Sequence, residues 1–373
     1  MDAIELLERL VAFETISPPG NEEPAARYLA EILEPFGFSC QVQPVGDNRA
    51  NLIARLGQGE GPELMLNGHL DVVPAAGAWT GKPFCMRRKG ELLFGRGTAD
   101  MKGGIAAMCQ AAVSAASRGV PDRGRLTLLF TADEECSNLG LHKYLEANRP
   151  PDFCIIGEPT GLQIAVAHRG VSRDYIEIQG PSRHAALPPE ERDALEKAAQ
   201  AIAAFERLNQ KLARMGHPVL APPSVAVTGI SGYEKDNVVP GQVRILVDFR
   251  LLPGMDQAQA EEILRQGLME GGLLQEDFTV KPHFYMPGGQ LAPDSPFVRL
   301  CLEERDRLLG PGPGPAAFGA SCEQCFFTQA GSSVLICGPG ELAQAHTVDE
   351  FTSEVQVRAA AKLYDAVIQR VLA

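Results

Sequence analysis

Residues 125–136 read R-L-T-L-L-F-T-A-D-E-E-C, an apolar run that ends in the consecutive carboxylates Asp133, Glu134 and Glu135. The run has the length and composition of a buried strand. Three acids at its end repel one another and resist desolvation unless a cation sits among them. A metal ion meets that demand, and other strands of the same kind supply candidate ligands.

The segment "ELMLNGHLD" (63–71) closes on His69 and Asp71, and "FCIIGEPT" (153–160) carries Glu158. Residues two apart in an extended chain face the same side, so Asp71 is placed to accept the second N–H of His69, as partners of metal-bound imidazoles do. Asp100 lies in the glycine-rich "GRGTADMKGG" (95–104), and "GPGELAQAHTVDE" (338–350) supplies His346. Taken singly, these residues have plainer readings. An isolated His is commonly an ordinary surface or core residue, Asp100 between glycines suits a turn or cap, and adjacent Glu residues suit a solvated face. Their joint placement after buried strands points instead to a metal centre. Two imidazoles and three carboxylates suit two zinc-like ions sharing one carboxylate. With neighbouring side chains pointing apart, Glu135 can bind metal while Glu134 stays free as a general base.

Around this constellation the first half of the chain alternates helix and strand signals. "NEEPAARYLAEILEPFGF" has apolar residues Ala26, Leu29, Leu33 and Phe36 at helical spacing and stops at Gly37. "GGIAAMCQAAVSAASRG" is an Ala-rich helix closed by Gly119. Alternation of this kind predicts a mostly parallel sheet with helices on both faces, which binds ligands at the carboxyl ends of its strands. From about residue 172 the order becomes strand, helix (about 190–212), strands, helix, strand: an α+β sandwich inserted into the larger domain. The expected division is 1–171 and 285–373 for the α/β domain and 172–284 for the insertion. A closing helix is expected within "DEFTSEVQVRAAAKLYDAVIQRVL".

Length, composition and charge bound the class of protein and its partners. A chain of 373 residues with 45% hydrophobic and 22% charged residues makes a compact fold of more than one domain. A net charge of -13 repels phosphate backbones and anionic membranes, so neither nucleic acid nor a membrane is an expected partner. "MDAIELLERLVAF" intersperses Asp2, Glu5 and Glu8 with apolar residues at helical spacing, which reads as a helix of the mature protein. No apolar run approaches the roughly 18 to 20 residues of a membrane helix, and a cytoplasmic location is expected. Nine scattered cysteines suit a reducing compartment. The pair Cys322 and Cys325 in "CEQC" lacks the further ligands of a structural zinc site and reads as two incidental thiols.

"GHLDVVP", "LFGRGTADMKGG", "TADEEC", "IIGEPT" and "AQAHTVDEF" together resemble the signature segments of the di-zinc metallopeptidase superfamily of aminoacylases, carboxypeptidases and acyl-diamino-acid deacylases. The match in order and spacing runs from about residue 5 to the C-terminus. "AHRGV", "VDFRLLPGM", "CEQCFF" and "GPGELAQAHTVDE" are similar to its bacterial acetylornithine deacetylase branch. The resemblance implies a zinc-peptidase-like catalytic domain with a ferredoxin-like lid that dimerises. It makes Asp100 the bridging ligand, puts His69 and Glu158 on one ion and Glu135 and His346 on the other, and leaves Glu134 as base with Asp71 beside His69. His184 in "SRHAALP" matches a lid histidine that stabilises the oxyanion in a neighbouring subunit's site, although Arg183 and Asp193 depart from the usual pattern. Asn237 and Arg250 resemble substrate-facing lid residues. The implied cofactors are two divalent ions, zinc or cobalt.

The expected reaction is hydrolysis of N-acetyl-L-ornithine to acetate and L-ornithine, a step of arginine biosynthesis. Glu323 is the candidate partner for the substrate ammonium, where a desuccinylase would place a cation. Related deacylases, dipeptidases and formylaminopyrimidine hydrolases share the scaffold. A non-catalytic metal-binding relative is disfavoured by the presence of Glu134 and all five ligands.

Overall fold

The computed structural model describes residues 1–57 and 60–373. The chain forms two compact units, Met1–Ala167 with Gln290–Ala373, and His168–Gly289. The inserted unit is wider than the expected 172–284 because its first strand begins at Gly170 and its last, Phe278–Met286, runs past residue 284.

In the large unit the strands Arg125–Thr131, Glu63–His69, Phe153–Pro159 and Ser333–Gly338 lie side by side and parallel. Arg49–Leu56 and Ser39–Gly46 extend this sheet antiparallel at one side. Parallel order brings the carboxyl ends of the four central strands to the same edge, so the residues following His69, Thr131, Glu158 and Gly338 share one rim. Their register is explicit there, with His69 opposite Thr131.

Helices cover both faces. On one face, Lys102–Ser117 is buried along nearly its whole length beneath Ala3–Val11 and Glu354–Leu372. Glycines set the closeness of that packing: a Cβ on Gly104 would lie 2.5 Å from the Gly157 carbonyl oxygen. On the other face Leu141, Tyr144 and Phe327 pack over Met65, Leu129, Ile156 and Ile336. Cys322 belongs to this apolar layer, and Cys325 is buried beside it with its Sγ 3.4 Å from the Cys322 carbonyl.

Local chemistry sets the ends of the helices. Pro24 opens Glu23–Leu33, after which the chain tightens into a 3-10 turn and leaves through Gly37 at φ +89°. That tightening turns Phe36 away from the expected apolar face, leaving it 39% exposed. The helix expected from about 190 begins at Ala194, because Asp193 caps it and forms a reciprocal box with Glu196. The closing helix begins at Glu354, since Phe351–Ser353 is first drawn into a strand against Leu92–Phe94.

The inserted unit is a four-stranded antiparallel sheet in the order Ser224–Ser231, Gln242–Leu251, Gly170–Gln179, Phe278–Met286. Ala194–Leu212 and Gln257–Glu270 bury Phe205, Leu208, Leu264 and Leu268 against Ile176, Ile178, Ile245 and Phe249. This is the ferredoxin-like order of a split βαβ unit. Among the described residues no helix is long and apolar enough to cross a membrane.

Gly104→Ala should destabilise the large unit by about 1 to 3 kcal/mol, because the helix has to back away from the Gly157 carbonyl. Thermal unfolding measures this, and an unchanged Tm would show that the close approach carries no stability.

Candidate metal centre

His69 and Glu158 are presented by strands that the sheet fixes, whereas Asp100, Glu135 and His346 are presented by turns. His69 closes its strand and is buried, with Nε2 3.1 Å from Asp100 Oδ1 and 3.6 Å from Glu158 Oε1. His346, at φ +62°, points Nε2 to within 3.2 Å of Asp100 Oδ2 and 3.1 Å of Glu135 Oε1. The two oxygens of Asp100 therefore face two different imidazoles, each of which has a second carboxylate beside it.

Glu134 and Glu135 diverge because of a turn, where the sequence pattern suggested strand alternation. Asp133 adopts φ +71°, and its carbonyl accepts the N–H groups of Ser137 and Asn138, folding the chain back immediately after the strand. Glu134 then joins His69 and Glu158 in one group of donor atoms lying within 4.8 Å of one another, while Glu135 joins His69 and Asp100 in another. Asp71 holds this turn: its carboxylate oxygens accept the N–H groups of Glu134 and Glu135, each at 3.1 Å. The expected carboxylate contact with His69 is replaced by the Asp71 main-chain carbonyl, 2.9 Å from Nδ1, with the carboxylate at 3.6 Å. The carboxylate is already engaged by main-chain donors, and the carbonyl takes over as the imidazole's partner.

Asp133, the first acid of the run, is not part of the cluster. Its carboxylate meets Arg49 Nη1 at 2.6 Å, and Arg49 also pairs with the buried Glu22. The repulsion among the three consecutive acids is thus split, with a guanidinium neutralising one and the imidazoles facing the other two.

The electrostatics express how crowded the remaining charges are. Burial pushes Glu134 and Glu158 well above the ordinary carboxylate range; His69 opposes the shift and the neighbouring carboxylates add to it. Burial would push His69 down, yet contact with Asp100 and the charges of Glu158 and Glu134 hold it well above its usual value. His346 is raised to about 10 by its contacts with Asp100 and Glu135. Asp100 is lowered: burial acts against ionisation, but the two imidazoles outweigh it. A donor set of this kind, oxygen-rich with two imidazole nitrogens and an excess of negative charge, fits divalent ions of the zinc type.

A cavity of about 250 Å³ opens beside these groups, lined by Asp100, Glu134, Glu135, Glu158 and His346 and, opposite them, by Phe318, Ala320, Ser321, Leu342 and Ala345. Glu323, expected to face substrate, is outside this lining. It is 2% exposed, and burial raises its carboxyl to about 7 while His69, Thr131 and Asn67 act in the other direction. It is buried because "CEQCFF" enters the apolar layer, drawing both intervening residues, Glu323 and Gln324, inward with its cysteines.

The remaining candidates belong to the inserted unit. His184 Nε2 lies 3.2 Å from Nδ2 of Asn237, the residue before the short strand whose Val238 pairs with His184. Arg250 is held by Asp248, with Nε 2.6 Å from Oδ1. Sequence reasoning overlooked Arg49 and Glu350, which bind main-chain or carboxylate partners far away in the chain. The position of Glu350 four residues after His346 was the one available signal.

The chain is similar to named proteins over most of its length. A Proteus mirabilis protein named acetylornithine deacetylase is 35% identical over 370 residues, covering 93% of this chain and 91% of its own. One of the same name from Vibrio cholerae serotype O1 is 32% identical over 371 residues, covering 93% of each chain. The solved structure of aminopeptidase PepT from Bacillus cereus has the same fold, with a TM-score of 0.79 at 20% identity over 99% of this chain and 98% of that one. Residues 65–370 match peptidase family M20/M25/M40, and the chain belongs to that family.

Proposed function

We propose that this chain is a two-metal amidohydrolase that removes the acyl group from N-acetyl-L-ornithine, giving acetate and L-ornithine. The observation that carries the reading is the divided face of Asp100, whose two oxygens address His69 and His346 separately. His69, Glu158 and Asp100 would hold one ion, and His346, Glu135 and Asp100 would hold the second. When bound, divalent ions such as zinc or cobalt supply Lewis-acid polarisation of the acyl carbonyl and acidify the attacking water.

The protein's own part is positioning and proton transfer. Glu134 takes the proton of the attacking water and returns it to the departing amine. Its main chain is fixed by Asp71, so the carboxylate is held at the cavity wall before substrate arrives. Among the described residues lining the cavity none is Lys or Arg, which suits an uncharged acetyl group better than a succinyl carboxylate. The relatives named acetylornithine deacetylase support the same choice of substrate.

His184 stabilises the oxyanion in the site of a second subunit, with Asn237 and Arg250 contacting substrate, on a dimer built through the inserted unit. The family resemblance of "SRHAALP", "NVVP" and "DFR" supports this part of the reading.

Glu134→Ala should retain both ions and bind substrate but lose about 10²- to 10⁴-fold in kcat, whereas Glu135→Ala should lose metal. Elemental analysis beside steady-state kinetics checks the pair, and reversed behaviour would exchange the two roles.

Glu323, buried behind Thr131 and Asn67, supports the rim rather than touching the ammonium. Glu323→Gln should therefore slow hydrolysis of N-acetylornithine and N-acetylmethionine by similar factors. A loss confined to N-acetylornithine would restore Glu323 as the ammonium's partner.

Mixing His184→Ala with Glu134→Ala chains should regenerate activity, since one heterodimer site then has both groups intact. No recovery from two inactive, dimerising variants would place His184 within its own chain's site or outside catalysis.

A further inference from the structure

We propose that Glu350 is a positioning residue that sets the spacing between Asp100 and His346, and with it the affinity of the ion those two share. The proposal rests on the two-ion reading of the centre.

Glu350 is fully buried, and its carboxylate is wrapped by the loop that presents Asp100. Oε1 accepts the N–H groups of Ala99 at 2.8 Å and Asp100 at 3.1 Å. Oε2 accepts the Gly97 N–H at 3.0 Å and Arg96 Nη1 at 2.6 Å. The Glu350 carbonyl accepts the Gly95 N–H at 2.9 Å. Successive amides turned onto one anion form a nest, and here the anion comes from the chain itself. Gly97 makes the wrap possible at φ +85°, where a Cβ would come within 2.9 Å of Val72 and 3.0 Å of the Lys102 side chain.

The other end of the link is His346, four residues earlier. Between them Asp349 accepts the Thr80 N–H at 3.0 Å and pairs with Arg87, while Phe351 lies opposite Phe94 in the adjoining strand pair. The segment carrying His346 is therefore laced along the segment carrying Asp100, and Glu350 is its buried fastening. Asp100 serves both ions, but its partners on the other ion, His69 and Glu158, each stand on a strand of the central sheet and do not depend on Glu350. A disturbance at Glu350 acts on the ion of His346 and Glu135 more than on the ion of His69 and Glu158.

Glu350→Gln keeps the shape but offers one oxygen where there were two, so an amide NH₂ meets N–H donors on one side of the nest. Zinc titration of the metal-free protein by calorimetry with a competing chelator should show two binding steps in the wild type. In the variant one step should weaken by about 10- to 100-fold and the other change much less. Excess zinc should restore kcat, with KM unaltered. Two unchanged steps, or two steps weakened equally, would overturn the proposal. If Glu350→Gln does not fold, Arg96→Lys carries the test, because it loosens the carboxylate but leaves the main-chain donors in place; it should weaken the same single step by a smaller factor, and equal or absent effects would again overturn it. A single binding step in the wild type would instead defeat the two-ion reading, and the selective loss along with it.

Discussion

Carboxylates converge where the parallel strands of the large unit end, and their repulsion in a poorly solvated rim is the constraint that the surrounding structure answers. The charges are shared among one guanidinium and two imidazoles. Asp133 goes to Arg49, Asp100 is flanked by two imidazoles, and Glu135 lies against His346. Glu134 and Glu158 remain with His69. An unpaired buried carboxylate tends to neutralise itself by taking up a proton, and the raised positions of Glu134 and Glu158 express this. A divalent cation relieves the same pressure with coordination in place of protonation.

The fold's contribution is to make such crowding rigid. Parallel strands in register bring their ends together, and glycines at 104 and 338 let the helix and strand backbones approach the Gly157 carbonyl closely beneath them. Packing at that density leaves the rim few alternative arrangements. Charges that would otherwise splay into solvent stay at contact distance, which a two-ion centre requires.

Two carboxylates serve the centre without pointing into it. Asp71 binds the N–H groups of Glu134 and Glu135, and Glu350 those of Gly97, Ala99 and Asp100. In both cases a buried acid shapes a loop through its amides, and the loop in turn aims the side chains that gather at the rim. Hydrogen bonds from several amides to one anion are stronger than neutral ones and also fix direction, so a loop free of regular structure becomes as well placed as a strand end.

The sequence by itself determined which residues are available for the chemistry and on what scaffold they sit. Apolar runs ending in His69, Glu134, Glu135 and Glu158 signalled buried strands with polar tips, and the change of pattern near 172 signalled an inserted α+β unit; both are local regularities of period and composition. Tertiary structure alone decided how the acids are shared out. Arg49 reaches Asp133 across 84 positions and Glu350 reaches Gly97 across 253, and nothing in either neighbourhood announces the partner. The same holds for Glu323, whose burial follows from the apolar layer around Cys322, and for Asp71, whose carboxylate is claimed by amides of another strand's turn. Strand periodicity is written in consecutive residues, whereas charge compensation depends on distances that exist only after the sheet has closed.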